Sequence, residues 1–182
     1  MAFSMNESYG TSGGYQLLSE GWHTVYITKA KLGYTKKQDD MISMRYTVIG
    51  ESSEAENTVL DWIVLVPKPW GYGKLQQLCK SIDPSISGAE ESDTDGFNPH
   101  DRESLRHYLL GKPLAIKVKH VDNSYINKMG EEKTGKKASI ENWRMLEDSE
   151  KDSLQSLYGE GEGYIVPPLP SDAEEDLASF PG

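Results

Sequence analysis

Cations and aromatic rings interleave in two stretches of the chain, and together they offer the chemistry of a surface for single-stranded nucleic acid. The first stretch holds Tyr26, Lys29, Lys31, Tyr34, Lys36, Lys37 and Arg45; the second holds Lys117, Lys119, Tyr125, Lys128, Lys136, Lys137 and Trp143. Ammonium and guanidinium groups neutralise phosphates, and flat rings stack on unpaired bases. Taken singly, such lysines are more often solvated surface, so their meaning depends on whether the fold gathers them. Trp62 and Tyr46 share strand faces with aliphatic residues and read as core. Trp70 stands in a proline turn, where core and ligand readings both apply.

Catalytic chemistry finds little support. His23, His100, His107 and His120 have no metal-ligand spacing, and neither a GxSxG nucleophile turn nor a GxxxxGK[ST] phosphate loop occurs. Asp39 and Asp40 could hold Mg²⁺ in a nuclease, but adjacent acids in a turn usually face solvent. With one cysteine, Cys79, there is no intrachain disulfide and no thiolate metal cluster. The reading is a non-enzyme without metal or cofactor.

The elements that position these groups are strands. Leu114 to Val121 alternates, with Leu114, Ile116 and Val118 on one face and Ala115, Lys117 and Lys119 on the other; a basic loop follows, then a second apolar segment from Ile140 to Leu146. Earlier, Trp22 to Leu32, Met41 to Ile49 and Asn57 to Val66 read as three strands separated by polar turns. Alternation turns Arg45 away from the core. Between the two groups, Leu75, Leu78, Cys79 and Ile82 fall at helical spacing, and Pro99 to Leu110 reads as a second helix with acids first and bases last. Three strands, a helical connection and two more strands suit a five-stranded barrel of the OB type. Small α+β sandwiches use the same order.

Charge divides the chain. The net charge is -10, and from Glu147 onward ten acids meet one base, leaving the first 146 residues nearly neutral. A near-neutral body permits a basic groove. The expected organisation is a flexible arm over residues 1–20, a barrel domain over 21–146 with a helical insertion at 71–111, and an acidic disordered tail over 147–182. From Glu147 the regular pattern dissolves: beyond a short helical turn around Leu154 to Tyr158, the tail's Gly, Pro and acid content cannot bury enough apolar surface to offset chain entropy. No apolar run approaches a membrane span and no leader pattern opens the chain, so a soluble cytoplasmic protein is expected.

Several of these features resemble a family of phage and prophage proteins. They are Gly21-Trp22 opening a strand, the lysine-bearing turn, the Lys74-Leu75-Gln76-Gln77-Leu78 helix, the Leu109-Leu110-Gly111-Lys112-Pro113 junction and the late basic hairpin. That family is associated with DNA replication and recombination and is regarded as single-stranded DNA-binding with an OB-type fold. The resemblance implies an activity in the cytoplasm of a bacterial host, with DNA bound without strong sequence preference and a homo-oligomer compatible with it. The tail, with Asp172, Glu174, Glu175, Asp176, Leu177 and Phe180, is similar to the partner-recruiting tails of bacterial and phage single-strand-binding proteins. It departs from them in that Pro181 and Gly182 follow Phe180. On charge alone, the tail would compete with DNA for the basic face. The rival reading is a protein-binding adaptor without nucleic-acid affinity.

Overall fold

Alternating strands punctuated by turn residues produce β1 (Gly21–Tyr34), β2 (Asp40–Val48), β3 (Thr58–Val64), β4 (Pro113–Ile126) and β5 (Glu132–Arg144). In the computed structural model, which describes residues 17–84, 101–159 and 166–173, they form one antiparallel sheet in the order β3-β2-β1-β4-β5. Helices α1 (Lys74–Ile82) and α2 (Arg102–Leu109) connect β3 to β4, and α3 (Asp148–Tyr158) follows β5. Local chemistry fixes the boundaries. Asp101 caps α2 by accepting from the Glu103 and Ser104 amides, and Gly111, at φ +81°, turns the chain into β4. At the β4–β5 turn the Asn127 side chain accepts from the amides of Met129 and Glu131.

One side of the sheet carries the main core. Val25, Ile27, Ile42, Met44, Tyr46, Val59, Ile63, Leu114, Ile116 and Trp143 pack against Leu75, Leu78 and Cys79 of α1 and Leu105 and Leu109 of α2. Burial pushes the Cys79 thiol up to about 12, as expected of a packing residue. Apolar residues on both faces of β3, Leu60, Trp62 and Val64 on one and Val59, Ile63 and Leu65 on the other, make both sides look covered in the sequence. The structure turns Val59 and Ile63 inward, together with Asp61, and leaves Leu60 and Trp62 on the outer side, so Trp62 is half-buried rather than core.

Two expectations need correction. The sheet is mainly β and five-stranded, but it is open: among the described residues no ladder joins β3 to β5, so a closed barrel is not formed. Nor does pattern dissolve after Glu147. Residues 148–158 make a full helix, begun by a reciprocal capping box between Glu147 and Glu150. Leu154 and Tyr158, one turn apart, anchor it over Tyr26, Ile49, Ala115 and Leu146 on the sheet's second side. Glu150 also receives hydrogen bonds from Arg144, at 2.6 and 3.3 Å. A single apolar anchor pair beside many acids hides such a helix from a compositional reading.

The facing of β3 can be tested by truncation. Ile63 is 0% exposed and Leu60 37%, so Ile63→Ala should cost ~2–5 kcal/mol in urea denaturation. Leu60→Ala should cost less than ~1 kcal/mol. The reverse ranking would overturn the assignment of the inward face.

Candidate nucleic-acid interface

A bulge in β1 sets the basic face. The β1–β2 register shifts between Ile27 and Lys29, which makes Thr28 the extra residue and places Lys29 opposite Arg45 and Lys31 opposite Ser43. Lys29, Lys31 and Arg45 therefore share the side of the sheet away from α1 and α2. The Arg45 guanidinium is held flat, with Nε donating to Thr28 Oγ1 at 2.9 Å, while Thr28 Oγ1 and Thr47 Oγ1 lie 2.8 Å apart. Its two remaining nitrogens grip the Asp172 carboxylate in a fork, at 2.7 and 2.8 Å. That grip pulls the Asp172 carboxyl down to about 2. Nearby, the Tyr26 hydroxyl donates to Pro168 O at 3.3 Å, so the segment 166–173 lies against the outer side of β1 and β2.

A cavity of about 300 Å³ opens at the seam between β3 and β5. Its walls include Leu60, Asp61, Trp62, Trp70, Lys74 and Lys137. Trp70, 60% exposed, is presented by a wide helical turn at Pro69–Gly73. That turn lies so close to β3 that a Cβ at Gly71 would strike the carbonyl oxygens of Val64 and Val66. Lys74 Nζ stands 3.3 Å from both Asp61 oxygens and donates at 3.3 Å to Trp62 O. Burial raises the Asp61 pKa, against the opposing pull of Lys74.

The structure gathers some of the sequence candidates and disperses the rest. Lys29, Lys31 and Arg45 come together, and Lys137 lines the cavity. Lys117 pairs with Glu141 at 3.5 Å, and exposed Lys119, opposite Ser139, is on the same side of the sheet. Lys36 and Lys37 are exposed in the β1–β2 turn, and Tyr125 and Lys128 are exposed at the far end of the β4–β5 hairpin. Lys136 falls on the opposite side, 2.5 Å from Asp122. Tyr34 is turned toward α2, with the Arg102 guanidinium 5.0 Å above its ring. Two stacking assignments are corrected. Tyr26 and Trp143 are 5% and 7% exposed, because Tyr26 packs in the cluster under α3 and Trp143 in the core beneath α1. Of the tail residues, Asp172 is placed on Arg45; Glu174, Glu175, Asp176, Leu177 and Phe180 lie outside the described residues.

What sequence reasoning missed is the pairing of Trp62 with Trp70. The proline turn that ends β3 doubles the chain back, bringing both rings to one cavity, and the facing of β3 was the signal needed to see it. Among the described residues, no helix is long and apolar enough to cross a membrane, and no group of His, Cys, Asp or Glu is arranged to hold a metal ion. No protein-family model and no curated protein matches the chain.

The Arg45–Asp172 pair has a defined pH dependence. A lowered carboxylate pKa means that its contribution is complete above the usual ~3.9 and is lost as pH falls through the folded-state value. NMR shifts of the Arg45 Nε proton and the Ala173 amide should titrate together near pH 2. A midpoint at the ordinary aspartate value would show that the contact does not persist in solution.

Proposed function

We propose that the chain binds single-stranded DNA along the outer side of β1, β2 and β3, and that its own C-terminal segment occupies part of that surface. The observation that carries this reading is the forked Arg45–Asp172 contact, in which a carboxylate sits in an anion site near Lys29, on the side of the sheet that Lys31 shares. A phosphate offers the same planar acceptor pair to a guanidinium. The cavity with Trp62 and Trp70 opens at the edge of that surface, where β3 meets β5, and would supply rings for bases.

The strand order supports an OB-type reading of the fold. β1 lies between β2 and β4, and the helical connection falls between β3 and β4, the arrangement of a five-stranded barrel left unzipped between its third and fifth strands. In such folds the β2–β3 face and the β1–β2 and β4–β5 loops take nucleic acid, which would engage Lys36, Lys37, Tyr125 and Lys128. A role in phage replication or recombination, with the acidic end recruiting partner proteins, belongs to the same proposal. The adaptor reading draws on one observation, the exposure of Ile126 and Met129 beside Tyr125 at the hairpin end, which would suit a protein partner.

A labelled oligo-dT strand titrated at two salt concentrations separates the two. Binding should quench tryptophan fluorescence, and the salt slope should shrink by ~0.7 for each phosphate contact removed. Arg45→Ala should lower affinity, whereas deleting residues 166–182 should raise it at low salt and much less at high salt. A protein indifferent to oligo-dT in dilute buffer would leave the adaptor.

A further inference from the structure

Strands β4 and β5 outrun the rest of the sheet. Pairing of β1 with β4 ends at Gly21 and Val118, whereas the β4–β5 ladder continues to Ile126 and Glu132. His120 is still tied to the body, its amide donating to Glu20 and its ring 2.7 Å from Leu18 O. From Val121 onward, β4 pairs with β5 alone among the described residues. At ~3.3 Å per residue, the stretch from Val121 to Ile126 makes a two-stranded arm about 20 Å long.

Cross-strand partners share a side, so alternation sorts the arm's charges. One side pairs Val121 with Lys137, Asn123 with Gly135 and Tyr125 with Lys133, and it carries no carboxylate. Lys119 adds a further cation to that side where the arm leaves the body. The opposite side pairs Asp122 with Lys136 and Ile126 with Glu132. Glu131, in the turn, reaches Lys133 at 3.0 Å, but both groups are about half exposed and such a pair is readily given up.

Gly135 is a second, independent signal. A Cβ added there would meet nothing within 4 Å, and its φ is not in the left-handed region, so neither crowding nor backbone strain in the fold calls for glycine. Glycine inside a strand weakens it, and one that the fold does not need marks close approach from outside. Here it leaves Asn123 without a facing side chain, so a donor and an acceptor lie in a gap between lysines.

The partner that fits is anionic and grooved. An unpaired strand asks for rings, and this side has one, Tyr125, at its far end. Two strands ~4.8 Å apart with their side chains fit the major groove of B-form DNA, ~12 Å wide and ~8.5 Å deep. A length of ~20 Å spans about six base pairs at ~3.4 Å each. The apolar groups that would suit a protein, Ile126 and Met129, lie on the opposite side and in the turn.

We propose that the β4–β5 arm enters the major groove of duplex DNA, with Lys119, Lys133 and Lys137 on phosphates and Asn123, across from Gly135, at the base edges. Lys137 also lines the seam cavity, so the duplex would end where the proposed single-strand surface begins. The chain would then favour junctions between paired and unpaired DNA. The duplex contact stands by itself, and only the junction preference rests on the proposed function.

Anisotropy of the full chain with four labelled probes tests this: oligo-dT, a blunt DNA duplex, that duplex with a dT overhang, and the same blunt duplex in RNA. The overhang probe should bind at least about tenfold tighter than either the blunt duplex or oligo-dT. The RNA duplex, whose major groove is too narrow and deep for side chains to read, should bind at least about fivefold more weakly than the DNA duplex. Gly135→Val fills the gap opposite Asn123 without a clash in the free protein. It should lower duplex affinity at least about fivefold and leave oligo-dT affinity unchanged, and Asn123→Asp, which puts an acid on the basic side, should do the same. Equal affinity for DNA and RNA duplexes, or duplex binding untouched in both variants, overturns entry into the groove and leaves single-strand binding standing. A blunt duplex that does not bind, with an overhang probe no tighter than oligo-dT, overturns it as well and leaves the arm to a protein partner. Duplex binding lost in both variants by a chain with no affinity for oligo-dT upholds the arm and sinks the single-strand surface.

Discussion

Burial of β1 on both sides constrains everything else in this fold. Six consecutive residues, Val25 to Ala30, are buried, although alternation sends neighbouring side chains to opposite sides of the sheet. Val25, Ile27 and Ala30 are covered by the core beneath α1 and α2. Tyr26, Thr28 and Lys29 face the other way and need a second cover, which α3 and the segment 166–173 provide. A buried ammonium needs compensating charge, and Asp172 lies close enough to Lys29 to feel its field. The segment 166–173, with Asp172 in it, is therefore part of the architecture that covers the central strand's second side.

The same constraint explains how far the sequence could be read. Strands with clean alternation, such as Leu114 to Val118 and Ile42 to Val48, were legible because each has one apolar and one polar face. Helices α1 and α2 were legible from their spacing and caps. β3 was legible as a strand but its inward face was not, because Val59 and Ile63 compete with Leu60, Trp62 and Val64, and an aspartate on the inward face argues against the correct choice. Helix α3 was obscured by its charge. Its burial rests on Leu154 and Tyr158, too few apolar groups to outweigh the acids around them in any window.

The candidate site was legible in kind and only partly in membership. Period two turned Arg45 outward, but it puts Lys29 and Lys31 on the side of Val25 and Ile27; only the bulge at Thr28, which the sequence does not announce, reverses them onto the side of Arg45. Aromatic residues were harder, because exposure of a ring depends on tertiary cover. Tyr26 and Trp143 look like Trp70 in a sequence; an overlying helix and segment separate the first two from the last. Asp61 and Lys74 meet across a helical connection, and no local pattern announces such a pair.

Because Asp172 belongs to the same polypeptide as Arg45, any anion taking its place on the guanidinium would meet a competitor that cannot be diluted away. A tethered group acts at an effective concentration fixed by the length and stiffness of its connection, in the ~mM range for short flexible links. Lowering the amount of protein leaves that local concentration unchanged, whereas an incoming polyanion gains with its own abundance and its number of charges. Under the proposed binding, occupancy of the guanidinium would be governed by how much polyanion is present and how strongly salt screens it, and would be insensitive to how many copies of the chain the cell holds.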